Sequence, residues 1–78
     1  MIEMAKVTVY SKNNCMQCKM TKRFLTEHNV DFVEHNINES PQYIDYLKDR
    51  GFQSLPVIET EDVKFSGFRP DKLQQLAI

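Results

Sequence analysis

The sequence lacks the features that mark several common protein classes. It has only two cysteines among 78 residues, which excludes a small secreted scaffold held together by several disulfides. No run of apolar residues is longer than three, so neither a membrane-spanning helix nor a signal-peptide core can be drawn, and no membrane partner is expected. The formal net charge of −1 argues against a general nucleic-acid binder, which usually carries a basic surplus. The remaining composition is that of one small globular domain over residues 1–78.

The near-neutral net charge hides an uneven distribution. Residues 4–26 contain no Asp or Glu but five Lys or Arg, whereas residues 27–78 contain ten acids and five bases. Both cysteines lie in the basic stretch. Small proteins can partition charge by chance, but positive charge around a thiol also favours its ionised form.

Four segments rich in β-forming residues predict strands, at residues 6–10, 30–37, 55–60 and 63–66. The second has apolar positions on both faces, so we expect partial burial on both faces or an edge position. The first two segments are separated by a helical segment, which predicts parallel strands with a right-handed crossover. The last two are separated only by Glu61-Asp62, which predicts an antiparallel hairpin.

The first helix is predicted to begin near Cys15, after a polar turn at residues 11–14, and to run to about His28. Asn29 is suited to end it in the left-handed conformation. Helical spacing predicts an inward face made of Cys18, Met20, Thr21, Phe24 and Leu25.

Two further helices complete the order β-α-β-α-β-β-α. The second is predicted to start with Ser40 as the cap and Pro41 at the first helical position. Gly51 is expected to end it. The third begins at Pro70. This order predicts an α/β fold.

The two cysteines form a Cys-Met-Gln-Cys motif at residues 15–18. Inside a βαβ unit, at the junction of a loop and a helix, this spacing indicates a dithiol redox site. Cys15 lies at the helix start, where unpaired N–H groups and the positive end of the dipole stabilise a thiolate. Lys12 and Lys19 add positive charge nearby. Cys18 is expected to point inward, so Cys15 is predicted to be the attacking thiol and Cys18 the resolving one.

Three other interpretations of the motif remain. A structural disulfide is possible, although closing so short a loop gains only about 2 kcal/mol. A zinc site would need two more ligands, and His28 and His35 are the other candidates, at a spacing that departs from the zinc-finger pattern. An iron–sulfur cluster shared between two chains would need ligands from a partner.

Four segments of the sequence resemble the glutaredoxin branch of the thioredoxin superfamily, and within it the NrdH-redoxins: VYSKNNCMQCKMTKRFL, NVDFVEHNI, SLPVI and SGFRPDKL. The resemblance implies the thioredoxin/glutaredoxin fold, with a four-stranded mixed sheet and three helices. It implies a cytoplasmic, monomeric thiol–disulfide oxidoreductase that donates electrons to class Ib ribonucleotide reductase. It also implies reduction by NADPH through thioredoxin reductase, with no metal or cofactor bound to the chain. The alternatives are a glutathione-dependent glutaredoxin and a metal- or cluster-binding module.

The resemblance also implies roles for residues distant from the cysteines. Pro56 occupies the position of the superfamily's cis-proline, which would place the Leu55 backbone beside Cys15, where an extended substrate segment could pair with it. A trans-proline at a strand start is the plain alternative. Met16 and Gln17, between the cysteines, are further candidates for partner docking.

The SGFRP segment is the last candidate docking element. Ser66, Gly67 and Phe68 are expected to shape the floor of the groove near the thiols, although Gly67 could simply end a strand. Glutathione-using relatives have an acidic residue where this chain has Arg69, which favours a protein partner over glutathione. NrdH-redoxins usually have Trp before this segment, but this chain has Phe65, which keeps the aromatic packing and loses an indole N–H.

Overall fold

The computed structural model describes residues 7–61 and 63–76, which form a four-stranded mixed sheet and three helices. The predicted order β-α-β-α-β-β-α is confirmed. Lys6 of the first predicted strand and Asp62 of the predicted turn lie outside the described residues. The strands are β1 (Val7–Ser11), β2 (Phe32–Asn36), β3 (Val57–Glu59) and β4 (Lys64–Ser66), and the helices are α1 (Met16–Glu27), α2 (Gln42–Asp49) and α3 (Pro70–Leu76).

The sheet has the strand order β2-β1-β3-β4. β1 pairs in parallel with β2, and β3 pairs antiparallel with both β1 and β4. The parallel pairing of the first two strands, the hairpin of the last two and the edge position of β2 are therefore confirmed. β1 is central, and the chain leaves its carboxyl end directly into the loop that carries Cys15. None of the described helices is long and apolar enough to span a membrane.

The core lies on both faces of this sheet because successive residues of a strand point to opposite sides. Val9 belongs to a cluster with Leu25 of α1 and Leu73 of α3. Its neighbour Tyr10 belongs to a second cluster with Leu47 of α2. Burying a side chain such as Leu25 stabilises the fold by about 1.5–3 kcal/mol. Phe65 is buried in the first cluster, so the aromatic packing expected at this position is present.

The buried face of α1 is narrower than predicted. Its buried side chains are those of Cys18, Thr21 and Leu25, whereas Met20 is 42% exposed and Phe24 is half-buried. The inclusion of Met20 was wrong. Residues two positions apart in a helix lie about 200° apart around its axis, so Met20 points away from Cys18. The left-handed conformation of Asn29 at the end of α1 is confirmed, with φ at 58°.

The second helix begins differently from the prediction. Ser40 does not cap α2 with its side chain. Pro41 already has helical angles before the helix begins at Gln42, and the backbone carbonyl of Ser40 accepts the Tyr43 N–H at 3.1 Å. A tight backbone turn therefore replaces the expected cap. Gly51, in the left-handed conformation with φ at +83°, ends this segment as predicted.

Several strand boundaries also differ from the prediction. Ser11 is the buried last residue of β1 and not part of the turn. β2 is shorter than residues 30–37 because it pairs only along the five residues of β1. β3 ends at Glu59 and β4 begins at Lys64, but the pairing continues one step further. The Thr60 N–H donates to the carbonyl of Val63 at 2.8 Å, and the Thr60 hydroxyl lies 3.2 Å from the same oxygen, which agrees with the predicted tight connection. β3 starts at Val57, so Leu55 precedes the sheet.

An aromatic cluster on the α2 side of the sheet includes His35. The His35 ring stacks on Tyr43 with ring centroids 4.4 Å apart and lies 5.5 Å from Tyr10. The hydroxyls of Tyr10 and Tyr46 both donate to the carboxylate of Glu59, at 3.0 and 2.7 Å. The pKa of Tyr10 is raised far above its ordinary value. Burial has the largest effect, and the hydrogen bonds with Tyr46 and Glu59 add to it. Tyr10 therefore remains a neutral donor that ties β1 to β3.

Candidate redox site

Cys15 lies at the point where the chain turns from β1 into α1. Asn14 has a φ of 58°, a conformation that asparagine tolerates better than most residues, and Cys15 follows as the N-cap of α1. The Cys15 sulfur accepts the backbone N–H of Cys18 at 3.1 Å, and the two cysteines form a disulfide with their Cα atoms 5.2 Å apart. The first turn of α1 carries no acidic side chain, so nothing there opposes a negative charge on Cys15.

The two sulfurs differ in accessibility. Cys15 is partly exposed, whereas Cys18 is 1% exposed on the inward face of α1. This arrangement agrees with the expected inward direction of Cys18. In the reduced protein, the N–H groups of the first turn stabilise a thiolate on Cys15. The site therefore combines one reachable, ionisable sulfur with one shielded sulfur.

The segment before β3 meets Cys15 from the other side. The Leu55-Pro56 peptide bond is cis, which the resemblance implied. The carbonyl oxygen of Leu55 lies 3.9 Å from the Cys15 sulfur. The carbonyl of Pro56 in turn accepts the Gly67 N–H at 2.7 Å, so the SGFRP segment is connected to the same position.

A contact that sequence reasoning missed joins the cysteine motif to the SGFRP segment. The Gln17 side-chain oxygen accepts the backbone N–H of Phe68 at 3.2 Å. Gly67 has a φ of +85°, and a Cβ atom there would lie 3.6 Å from the same oxygen. Gln17 and Phe68 are 51 residues apart, so no local sequence pattern indicated the contact.

Arg69 lies beside this contact but faces α3. Its guanidinium is 3.5 Å from the carboxylate of Asp71. Desolvation alone would raise the pKa of Asp71, but the charge and hydrogen bond of Arg69 outweigh it and lower that pKa. The guanidinium of Arg69 is thus already paired. Ser66, the first residue of the SGFRP segment, is half-buried at the end of β4.

Two depressions lie in this region, and Cys15 lines the larger of them. The larger, which we name the lysine depression, has a volume of roughly 530 Å³ and a lining that includes Cys15, Cys18, Lys12, Lys19, Lys22 and Asn36. Met16, at its rim, is 69% exposed. The smaller, the apolar groove, has a volume of roughly 170 Å³ and lies between α2 and the segment ending at Leu55. The structure thus brings together the predicted Lys12, Met16 and Leu55 around Cys15.

A second feature missed at the sequence level is the polar network beneath the lysine depression. Lys22 binds the carboxylate of Glu34 at 2.7 Å, and the buried Ser11 hydroxyl donates to the same carboxylate oxygen. Burial alone would raise the pKa of Glu34, but the hydrogen bonds from Lys22 and Ser11 outweigh it and hold that pKa below its ordinary value. The charge of Lys22 is therefore neutralised by Glu34, and this ion pair joins β2 to α1.

Replacing Glu34 by Gln should lower the free energy of unfolding at pH 7 by roughly 0.5–1 kcal/mol, as for a partly exposed ion pair. The Glu34 pKa is lower in the folded than in the unfolded protein. The contribution of Glu34 to the free energy of unfolding is thus complete above its pKa in the unfolded protein, and it is lost as the pH falls through its pKa in the folded protein. Urea unfolding at pH 7 and at about pH 3 measures the difference, which should shrink at the lower pH. Glu27→Gln, which removes the more exposed pair with Arg23, is the control and should cost less; equal costs would contradict the prediction.

Asparagine side chains hold the loop between β1 and Cys15. The backbone N–H of Asn13 donates to the side-chain oxygen of Asn38 at 2.7 Å, and the side-chain amide of Asn36 donates to Asn13 at 3.1 Å. The loop that presents Cys15 is thereby fastened to the carboxyl end of β2. The sequence indicated only a polar turn here.

The histidines considered for a zinc site do not lie with the cysteines. His28 is at the opposite end of α1 from Cys15, about 20 Å away at the helical rise per residue, and its ring stacks on Phe24 with centroids 4.2 Å apart. His35 belongs to the aromatic cluster described above. Within residues 7–61 and 63–76, no group of three or more His, Cys, Asp and Glu side chains is arranged to hold a metal ion.

Known proteins share this fold and much of this sequence. The glutaredoxin family profile matches residues 7–64. The chain is 55% identical to the glutaredoxin-like protein NrdH of Lactococcus lactis over 71 residues, which cover 91% of this chain and 99% of that protein. It is 38% identical to NrdH of Escherichia coli over 71 residues, which cover 91% and 88%.

Solved structures extend the comparison to three dimensions. The Escherichia coli NrdH-redoxin, a glutaredoxin-like protein described as having a thioredoxin-like activity profile, superimposes with a TM-score of 0.87 at 38% identity, covering 90% of this chain and 92% of that one. A glutaredoxin from Archaeoglobus fulgidus superimposes with a TM-score of 0.78 at 29% identity, covering 94% and 86%.

Proposed function

Since the chain belongs to the glutaredoxin family of thiol–disulfide oxidoreductases, within its NrdH group of glutaredoxin-like proteins, we propose that it is the electron donor of a class Ib ribonucleotide reductase. In this role it reduces the disulfide that the reductase forms in each turnover. It is then reduced again by NADPH through the flavoprotein thioredoxin reductase. The reaction takes place in the cytoplasm, where reducing conditions keep thiols available.

Each cycle moves two electrons by two thiol–disulfide exchanges. The Cys15 thiolate attacks one sulfur of the partner disulfide, so that a bond forms from Cys15 to that sulfur while the other partner sulfur leaves and takes up a proton. Cys18 then loses its proton and attacks the Cys15 sulfur. The Cys15–Cys18 bond forms, and the second partner sulfur leaves as a thiol. The partner gains two electrons, and this protein is left oxidised.

The observation that carries the proposal is the unequal exposure of two cysteines at the start of α1. Cys15 is reachable and its negative charge is favoured by the first-turn N–H groups, whereas Cys18 is shielded from solvent. The Leu55 carbonyl beside the Cys15 sulfur offers backbone to an extended partner segment. Both features suit a protein disulfide as the substrate.

The choice of thioredoxin reductase over glutathione rests on the SGFRP side of the site. Arg69 stands where glutathione-using relatives have an acid, and it is paired with Asp71. The NrdH-redoxin of Escherichia coli, 38% identical in sequence, is described as having a thioredoxin-like activity profile. The alternative, a glutathione-dependent glutaredoxin, predicts the opposite preference.

A coupled assay distinguishes the two reductants. With insulin as the disulfide acceptor, NADPH oxidation through thioredoxin reductase should be at least about tenfold faster than through glutathione and glutathione reductase, which corresponds to about 1.4 kcal/mol in the barrier. A rate that is higher with glutathione would support the alternative. Cys15→Ser is the control and should be inactive with both.

A second assay tests the client. A purified class Ib reductase should turn over repeatedly when supplied with this protein, thioredoxin reductase and NADPH, and should stop after its own dithiols are consumed when this protein is left out. Turnover that does not depend on this protein would contradict the donor role while leaving the reductant assay unaffected.

A further inference from the structure

We propose that the lysine depression binds acidic side chains that flank the disulfide of a partner protein, so that charge selects which disulfides Cys15 attacks. The inference deepens the proposed function, since it names the chemistry of the segment that the same site receives. It concerns the side of Cys15 that faces β2, away from the SGFRP segment.

The position of the depression makes its charge relevant to the reaction. Its lining includes both cysteine residues, so a chain that occupies it lies against the residue whose sulfur attacks. Lys12, Lys19 and Lys22 line it together, and no lining residue is acidic. An occupant with carboxylates would therefore meet ammonium groups in the depression that Cys15 lines, although the one of Lys22 is already paired with Glu34.

Two of these lysines are available to a partner. Lys22 is already bound to Glu34. Lys12 and Lys19 are exposed, and in the part of the chain that the structure describes no carboxylate oxygen lies within 4.0 Å of either. The positive end of the α1 dipole adds to their field at Cys15. Uncompensated charge of one sign in a concave surface attracts the opposite charge and raises the rate of encounter.

The form of the site favours a polypeptide as the occupant. The depression is open, and at roughly 530 Å³ it is larger than one carboxylate requires. It adjoins the Leu55 carbonyl through Cys15, so a segment that brings a disulfide to Cys15 can also place neighbouring residues over Lys12 and Lys19. The side-chain amide of Asn36 also lines the depression; one of its N–H groups is donated to Asn13, and the second can donate to a carboxylate.

Three matched peptides test the proposal. Each carries one intramolecular disulfide, flanked by Glu, Gln or Lys, and reacts with excess pre-reduced protein in a single turnover without any reductase. We expect the rate of disulfide reduction to decrease from the Glu peptide through the Gln peptide to the Lys peptide. The Glu peptide should react about tenfold faster than the Lys peptide at low ionic strength. The ratio should approach one at about 1 M salt, where the screening length is about 3 Å.

Single substitutions locate the effect. Lys19→Gln and Lys12→Gln should each reduce the ratio of the Glu-peptide rate to the Lys-peptide rate by about two- to fivefold, the range of one exposed ion pair. The comparison of two peptides cancels any effect of the substitution on Cys15 itself. Lys64→Gln makes the same charge change on the exposed side of β4, outside the depression, and should leave the ratio unchanged.

Equal rates for the three peptides would overturn the proposal. A reduction of the rate ratio by Lys64→Gln as large as that by Lys12→Gln or Lys19→Gln would also overturn it, since net charge alone would then account for the preference. If oxidised glutathione reacts faster than the Glu peptide with the same dependence on Lys19, the depression is a site for a small thiol and the proposal is wrong. Failure to reduce any peptide would contradict the dithiol chemistry and this inference with it. A negative result in the ribonucleotide reductase assay alone affects only the donor role.

Discussion

Replacing Cys18 by serine should leave the protein covalently attached to its partner through Cys15. The Cys15 thiolate can still attack a partner disulfide, but without the second sulfur the mixed disulfide has no neighbour to resolve it. The expected product is a stoichiometric adduct with insulin or with the ribonucleotide reductase, visible on a non-reducing gel. Mass spectrometry should place the bond at Cys15, and dithiothreitol should release it.

Cys15→Ser is the matched variant and should behave in the opposite way. It removes the reachable sulfur and leaves Cys18, which is 1% exposed, so we expect no adduct and a loss of disulfide reduction on the order of 10³-fold or more, because an unactivated hydroxyl is a poor nucleophile. An adduct through Cys18 in this variant would reverse the two roles. Adducts with both variants would mean that burial does not decide which sulfur attacks.

Alkylation of the reduced protein should distinguish the two thiols at pH 7. Cys15 should react with iodoacetamide on the order of 10–100-fold faster than Cys18, because Cys15 is both more ionised and more accessible. A thiolate of lowered pKa is intrinsically less nucleophilic, so accessibility is expected to supply a large share of the ratio. Peptide mapping after timed quenching gives both rates.

The pH dependence separates ionisation from accessibility. If the N–H groups at the start of α1 stabilise the Cys15 thiolate, its alkylation rate should reach half of its plateau below about pH 7.5, well under the ordinary thiol value near 8.5. A midpoint at the ordinary value would contradict electrostatic activation. Equal rates for the two thiols would contradict both parts of the argument.

The sequence predicted the cysteine site well because that site is local. Cys15 and Cys18 are three residues apart, and one helical turn places them together whatever the remainder of the chain does. The helix start and the Asn29 and Gly51 terminations were likewise readable, since each depends on a few adjacent residues. The parallel pairing of β1 with β2 and the hairpin of β3 with β4 followed from connection lengths, which limit how consecutive strands can pair.

The wrong predictions fall where another interaction, tertiary or within the backbone, outweighs the local preference of a residue. Ser11 has the composition of a turn residue, yet pairing with β2 and the hydrogen bond to Glu34 keep it in β1. Ser40 is a good capping residue, but a backbone turn through Pro41 starts α2 without it. His35, considered for a zinc site from the sequence, instead packs on a tyrosine of α2.

The sequence by itself determined that this protein carries a dithiol at the start of a helix in an α/β fold, because that information resides in neighbouring residues and in periodic patterns. Only the tertiary structure decided what surrounds the dithiol. Leu55 beside Cys15, Gln17 on Phe68 and Glu34 on Lys22 join residues 40, 51 and 12 positions apart. Such contacts depend on how the sheet and helices pack, and no short segment encodes them. Of the basic residues around the cysteines, the fold neutralises Lys22 and leaves Lys12 and Lys19 facing the depression beside the reactive sulfur.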